Sequence, residues 1–270
     1  MNQNNSNLLF KGYANTSLLW KHNTVFGLKQ FDAQTQLVSE YSKINSERLR
    51  LGKHVEQFVS HVLSQNQNIK IYKENIQVKN GKVTIGELDC LLQHNHTPVH
   101  LEIIYKFYLY DPNTGVSELE HWIGPNRNDS LIQKLNKLRE KQLPLLFNRH
   151  TLPVLNKLGL DRNKIEQRVH FKGQLFLPLN WNPDRIEILN KSCMSGFYIS
   201  YDEIGHFKNC MFYIPSKLNW LMEIHNDVEW LSFSEFRQDV NQFIVQKRSP
   251  LCWIKYPDGK TQKLFVVWWS

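Results

Sequence analysis

The sequence predicts an α/β protein of the α+β kind: an αβββαβ core, preceded by a helical cap and followed by a mixed, aromatic-rich extension. Three observations carry this. A helical stripe of Leu49, Val55, Val59, Val62 and Leu63 precedes three strand-like runs. The turn signals Asn80-Gly81 and Asn95-His96, the latter followed by Pro98, join those runs as antiparallel hairpins. A second leucine stripe, Leu131, Leu135 and Leu138, then leads into a further strand.

Residues 1–44 carry helical apolar spacing around Leu18, Leu19 and Trp20, and again near Leu37 and Tyr41; we read them as the cap. The core spans 45–180. Its first helix runs from about Ser46 to Gln65. Residues 69–79, IKIYKENIQVK, alternate as a strand, and Asn80-Gly81 turns the chain into the next. The stretch 86–106, GELDCLLQHNHTPVHLEIIYK, supplies two more strands. In the second of these, Leu101, Ile103, Tyr105, Phe107 and Leu109 share one face, which is therefore buried. The run HLEIIYKFYL is apolar enough to be an interior strand covered on both sides. Residues 115–128 form a loop, bent by Gly124 and Pro125 in WIGPN. A helix to about Leu146 follows, capped by Asp129 or Ser130. Gln142 continues its leucine stripe, either as a buried amide or as a group reaching toward the site. Residues 168–178 close the core as a strand. The extension, 181–270, is rich in tryptophan: Trp181, Trp220, Trp230, Trp253, Trp268 and Trp269. GFYISYDEI and CMFYIPSKLNWLM are strand-like, SFSEFRQDVNQFIV is helical, and Asp258-Gly259 turns a final hairpin.

Length and composition set bounds. The chain has 270 residues, 41% of them hydrophobic, enough for one large core or two modest ones. No run of eighteen apolar residues exists, so no membrane span is expected. The start, MNQNNSNLLFKGY, lacks a signal pattern, and an intracellular, cytoplasmic protein is expected. Cys90, Cys193, Cys210 and Cys252 show no CxxC spacing, which argues for buried thiols and against a zinc site. The net charge of +8 permits a polyanionic partner. Lys43, Arg48, Arg50 and Lys53 cluster before or within the first helix, and Arg127, Lys134, Lys137, Arg139, Lys141 and Arg149 along the later one. These clusters are either solvated helix faces or a rim that holds phosphates.

The chemistry concentrates in the acidic hairpin. Alternation puts Glu87 and Asp89 on one face of its first strand, and Glu102 and Lys106 on one face of its second. A symmetric hairpin about Asn95-His96 sets Asp89 opposite Glu102, with Cβ atoms about 5 Å apart. Two carboxylates that close repel unless a cation lies between them or one holds a proton. A magnesium-type ion keeps several waters, so two carboxylates and a backbone carbonyl suffice to hold it. Lys106, two pleats beyond Glu102, would orient a water or offset charge on a phosphate. The same residues would also suit the solvated face of an ordinary hairpin. Acid set against acid, within so apolar a strand, favours the metal-binding reading.

The order of these elements, with GExD followed by a glutamate and a lysine, resembles the PD-(D/E)XK phosphodiesterase superfamily, which includes restriction endonucleases and Holliday-junction resolvases. RLGKHVEQF, IGELDCLL, HLEIIYKFYL and WIGPNRNDSLIQKL, within residues 48–146, are similar to an uncharacterised bacterial family grouped with that superfamily. The resemblance implies a restriction-endonuclease-like core in which Asp89 and Glu102 bind Mg2+ or Mn2+, helped by Glu87 or by Glu56 on the first helix. It implies that a lysine assists the attacking water. Ile104 occupies the usual lysine position, and Lys106 lies about 6–7 Å further along the strand. Lys134 is the second candidate for that lysine. The expected function is hydrolysis of DNA phosphodiester bonds, with RNA as a further candidate substrate and a homodimer compatible with it. Arg50, Lys53, Asn126, Arg127, Lys134 and Lys137 are the expected nucleic-acid contacts. Asn126 and Asp129 would alternatively be only turn and cap residues, and Glu56 a half-exposed acid paired with a neighbouring base. The alternative function is a catalytically inactive fold that binds nucleic acid or a protein partner.

Overall fold

Three hairpin-joined strands, a helical crossover and a parallel fourth strand make up half of one large mixed sheet in the computed structural model, which describes residues 3–21, 24–33, 40–41 and 49–269. The chain begins with α1 (Gln3–Asn15) and a small ladder of β1 (Thr24–Val25) with β2 (Leu28–Lys29). The core follows as α2 (Leu51–Gln65), β3 (Ile69–Asn80), β4 (Val83–His94) and β5 (Thr97–Tyr110). After the short β6 (Trp122–Ile123), α3 (Leu131–Lys137) leads through further helical turns and α4 (Leu152–Lys157) to β7 (Glu166–Pro178). The C-terminal region contributes β8 (Met194–Ser200), β9 (Met211–Tyr213), α5 (Phe233–Val245), β10 (Leu251–Lys255) and β11 (Thr261–Val267).

The sheet order is β3-β4-β5-β7-β8-β11-β10-β9, with β6 on β5. β3, β4 and β5 pair antiparallel, as hairpins must; β5, β7, β8 and β11 run parallel. The C-terminal strands therefore extend the same sheet.

β5 is covered on both sides. Val55, Phe58, Val59 and Val62 of α2 pack with Leu101, Tyr105 and Phe107. Leu131, Leu135 and Leu138 pack on the other face with Ile104 and Tyr108. Ser130, rather than Asp129, caps α3 by accepting the Gln133 N–H. The helix then loosens into a π turn, Leu138–Gln142, and tightens into a 3-10 segment, Leu143–Phe147.

Three sequence expectations are corrected. Leu18, Leu19 and Trp20 are extended, not helical: Leu18 bridges Lys172 and Leu19 N–H donates to Phe171 O at 2.8 Å. β8 joins β7 only from Leu175 onward, so the first half of β7 has an open edge, and this segment satisfies it. The β3–β4 turn is Gly81-Lys82, one residue later than expected, with Gly81 at φ +58°. CMFYIPSKLNWLM forms only the three-residue β9 and a 3-10 turn at Leu218–Leu221. Leu37, Lys43, Ser46 and Arg48 lie outside the described residues. Among the described residues no helix is long and apolar enough to cross a membrane.

Candidate active site

Regular pairing of β4 with β5 runs from His94–Thr97 to Cys90–Leu101 and stops. Asp89 and Glu102 are the next position, where the strands part. On the other side of β4, Asn75 of β3 adopts φ +51° between the pairs Glu74–Cys90 and Ile76–Leu88. Face alternation breaks here: Leu88 joins the cluster around Leu145 and Leu146, whereas Cys90 joins the α2 cluster. Such irregularities re-aim side chains and bend a strand. Asp89 Oδ2 accepts the Ile103 N–H of β5 at 2.9 Å across the gap.

Glu102 points to the α3 side and is fully buried. Its Oε1 accepts from His100 Nε2 at 3.0 Å, and its Oε2 from Gln142 Nε2 at 2.5 Å. The π turn supplies that glutamine. Gln142 Oε1 in turn accepts from Lys134 Nζ at 2.7 Å. Gln167 Nε2 donates both to Leu143 O and to His100 Nδ1, so His100 carries its proton on Nε2, facing Glu102.

Burial governs the electrostatics of these groups. Burial, then the charges of Glu102 and Glu56, push the Asp89 carboxyl up to about 7, while Lys134 and the Ile103 N–H oppose the shift. Burial also pushes Glu56 up, against the pull of Lys53. Lys134 is pushed down to about 8 by burial, against the attraction of Glu102 and Asp89.

The structure ties Glu56 to Glu87 through Lys53, and Lys134 to Glu102 through Gln142. It does not set Glu87 on the Glu102 face, as strict alternation required: Glu87 Oε1 takes a hydrogen bond from Lys53 of α2 at 2.6 Å. Lys106 shares the Glu102 face but ends on Asp129 at 2.6 Å. Arg127 is held by Asp111 at 2.9 Å and lies over the Trp269 ring, and Asn126 Oδ1 accepts the Ser249 N–H at 2.8 Å. Those two fasten the loop before α3 to the C-terminal region. Arg50 and Lys137 are exposed near the starts of α2 and the end of α3. His100 and Gln167 escaped the sequence reading. The signal for His100 was its position two residues before Glu102 on the same face; Gln167 is its register partner on β7.

Among the described residues no three acid, histidine or cysteine side chains stand ready to hold a metal ion together. Asp89 and Glu102 are carboxylates on adjacent strands, each oxygen can accept more than one bond, and burial, then the charge of Glu102, raises the Asp89 carboxyl to about 7.

No curated protein and no solved structure matches the chain. A family model described as a domain of unknown function, DUF1853, matches residues 5–267. That match takes in the cap, the core and the C-terminal strands alike, and the chain belongs to the DUF1853 family.

Proposed function

We propose that the protein is a metal-dependent phosphodiesterase acting on DNA, built on a restriction-endonuclease-like αβββαβ core. The observation that carries this reading is the placing of Asp89 and Glu102 where β4 and β5 part, with Asp89 Oδ2 accepting the Ile103 N–H at 2.9 Å. The order α2-β3-β4-β5-α3-β7, with β5 parallel to β7, supports the fold assignment.

Asp89 and Glu102 would hold Mg2+ or Mn2+. A bound ion supplies Lewis-acid stabilisation of the phosphoryl charge and makes an attacking water more acidic. The protein's own groups do the rest. His100 and Gln142 fix both oxygens of Glu102, so its carboxylate does not reorganise during reaction. Lys134, rather than the Asp129-bound Lys106, orients the water: its ammonium is linked to Glu102 through Gln142 and is partly desolvated. Arg50 and Lys137 hold backbone phosphates, a contact blind to sequence and weakened by salt.

A second reading, a non-catalytic nucleic-acid or protein binder, is favoured by Ile104 at the usual lysine position and by the engagement of Lys106 with Asp129. Nicking of supercoiled plasmid in Mn2+ separates the two. The expected result is cleavage by the wild type and by K106M, with losses on the order of 10²–10³-fold in D89N, E102Q and K134M. A wild type that never nicks, and whose DNA affinity survives Asp89→Ala, establishes the second reading instead.

A further inference from the structure

The far end of the β3–β4 hairpin stands clear of the rest of the protein. Every residue from Lys79 to Ile85 is exposed, whereas Ile76, Val78 and Leu88 lower in the same ribbon pack with Leu145 and Leu146. The register slips between the pairs Val78–Gly86 and Lys79–Thr84, so Ile85 has no partner on β3. Such a bulge bends and twists a ribbon. Val83 is 68% exposed and Ile85 42%, two β-branched side chains left to water.

Charge at this end has one sign. Lys79 and Lys82 flank the turn, and no carboxylate occurs from Asn75 to Gly86. Among the described residues neither lysine makes an ion pair. The acids that bound the stretch are engaged: Glu74 Oε2 accepts from Ser60 Oγ at 3.0 Å, and Glu87 Oε1 from Lys53 Nζ at 2.6 Å.

These features choose among partners. A further strand on the open edge of β3 is opposed by the edge itself: Lys70, Lys73 and Lys79 are exposed along it, and Asn75 breaks its extended backbone at φ +51°. A stable protein interface buries about 800 Å² on each side, which two aliphatic side chains do not supply. Duplex DNA asks for less apolar surface and more positive charge. Its major groove, about 12 Å wide, admits a two-stranded β-ribbon and offers thymine methyl groups to apolar side chains between walls of phosphate.

Resting on the DNA-directed reading above, we propose that the β3–β4 hairpin enters the major groove of duplex DNA, with Lys79 and Lys82 on the flanking phosphates and Val83 and Ile85 against base edges. Val83 lies six residues before Asp89 on β4. At 3.3 Å per residue the two are about 20 Å apart along the strand. A duplex rises 3.4 Å per base pair, so the ribbon meets the groove about six base pairs to one side of the phosphate at Asp89. A single strand has no groove there to fill, and the hairpin thus selects duplex substrates.

Fluorescence anisotropy in EDTA, which suppresses metal-dependent cleavage, measures affinity for a labelled duplex and for one of its single strands as salt is varied. The variants are K79Q/K82Q, V83T/I85T and, as a control, K29Q/K208Q, which removes two exposed lysines of other elements. All the altered side chains are exposed, so melting temperatures should match the wild type. K79Q/K82Q should bind the duplex at least about tenfold more weakly, with the slope of log K against log salt reduced by about 1.8. V83T/I85T should keep that slope and weaken duplex binding severalfold. Single-strand affinity should change less in both, and K29Q/K208Q should match the wild type. Folded hairpin variants that bind the duplex as the wild type does overturn the proposal and leave the nuclease reading standing. An equal loss in K29Q/K208Q reduces the lysines to a general charge effect and overturns it too. So does a wild-type dimer in sedimentation that V83T/I85T splits with duplex affinity unchanged, a result that assigns the tip to a second copy of the chain. A wild type with no affinity for DNA refutes the reading above, and the proposal with it.

Discussion

On the α1 side of the sheet the protein buries the ammonium groups of Lys172 and Lys263, and on the α3 side the carboxylate of Glu102, and the two sides are finished differently. On the α1 side, Lys172 Nζ donates to Tyr13 O and Ala14 O, the last carbonyls of a helix, and lies over the Tyr13 ring. Lys263 Nζ donates to Gln174 Oε1 at 2.9 Å and to Trp220 O at 3.2 Å. Gln174 passes the network on to the Tyr105 hydroxyl at 2.8 Å, which meets Thr16. Burial lowers both lysines to about 7, yet carbonyl and amide oxygens of the chain serve each ammonium. On the α3 side Glu102 is equally sealed and equally well bonded, but its neighbour Asp89 has a donor at only one oxygen among the described residues. The lesson is that burial of charge does not mark a ligand site.

The largest expected effect separates the two clusters. E102Q should weaken Mn2+ binding by at least about 100-fold and also cost about 1–3 kcal/mol of stability, because its amide nitrogen must face the His100 or the Gln142 donor. K172M should touch stability alone: it strips the α1 carbonyls of a donor and should cost about 1–3 kcal/mol in urea denaturation, with Mn2+ affinity unchanged. A K172M that weakens Mn2+ binding as much as E102Q would erase the distinction between the faces.

A smaller effect lies in pH. A proton on Asp89 competes with the cation, so apparent Mn2+ affinity should rise about tenfold per pH unit up to about 7 and level off above it. In the metal-free protein the raised pKa means the folded state binds this proton more tightly than the unfolded state. That contribution is complete below about 4, the unfolded value, and is lost as pH rises through about 7. D89N should therefore melt with the wild type at pH 4 and above it at pH 8. Equal melting temperatures at both pH values would show that neither burial nor Glu102 raises the Asp89 carboxyl.

Much of this frame was legible because it is local. The α2 stripe, the alternation of β3 and β5, and the Leu131–Leu135–Leu138 stripe are each written within one element. What escaped was set across elements. Leu18–Trp20 is as apolar in a strand as in a helix, and the open edge of β7 decided it. The side taken by Glu87 depended on Asn75, whose left-handed backbone breaks an otherwise alternating run. Lys106 found Asp129 only because the 124–129 loop folds back, with Gly124 N–H on Asp129 O at 2.7 Å. His100 met Gln167 through parallel pairing across a long crossover, which no short window contains.

Crystals grown with Mn2+ and measured at a wavelength where manganese scatters anomalously address the central claim directly. The account predicts one anomalous peak per chain, touching carboxylate oxygens of both Asp89 and Glu102. Absence of density between Asp89 and Glu102 at saturating Mn2+ would contradict it.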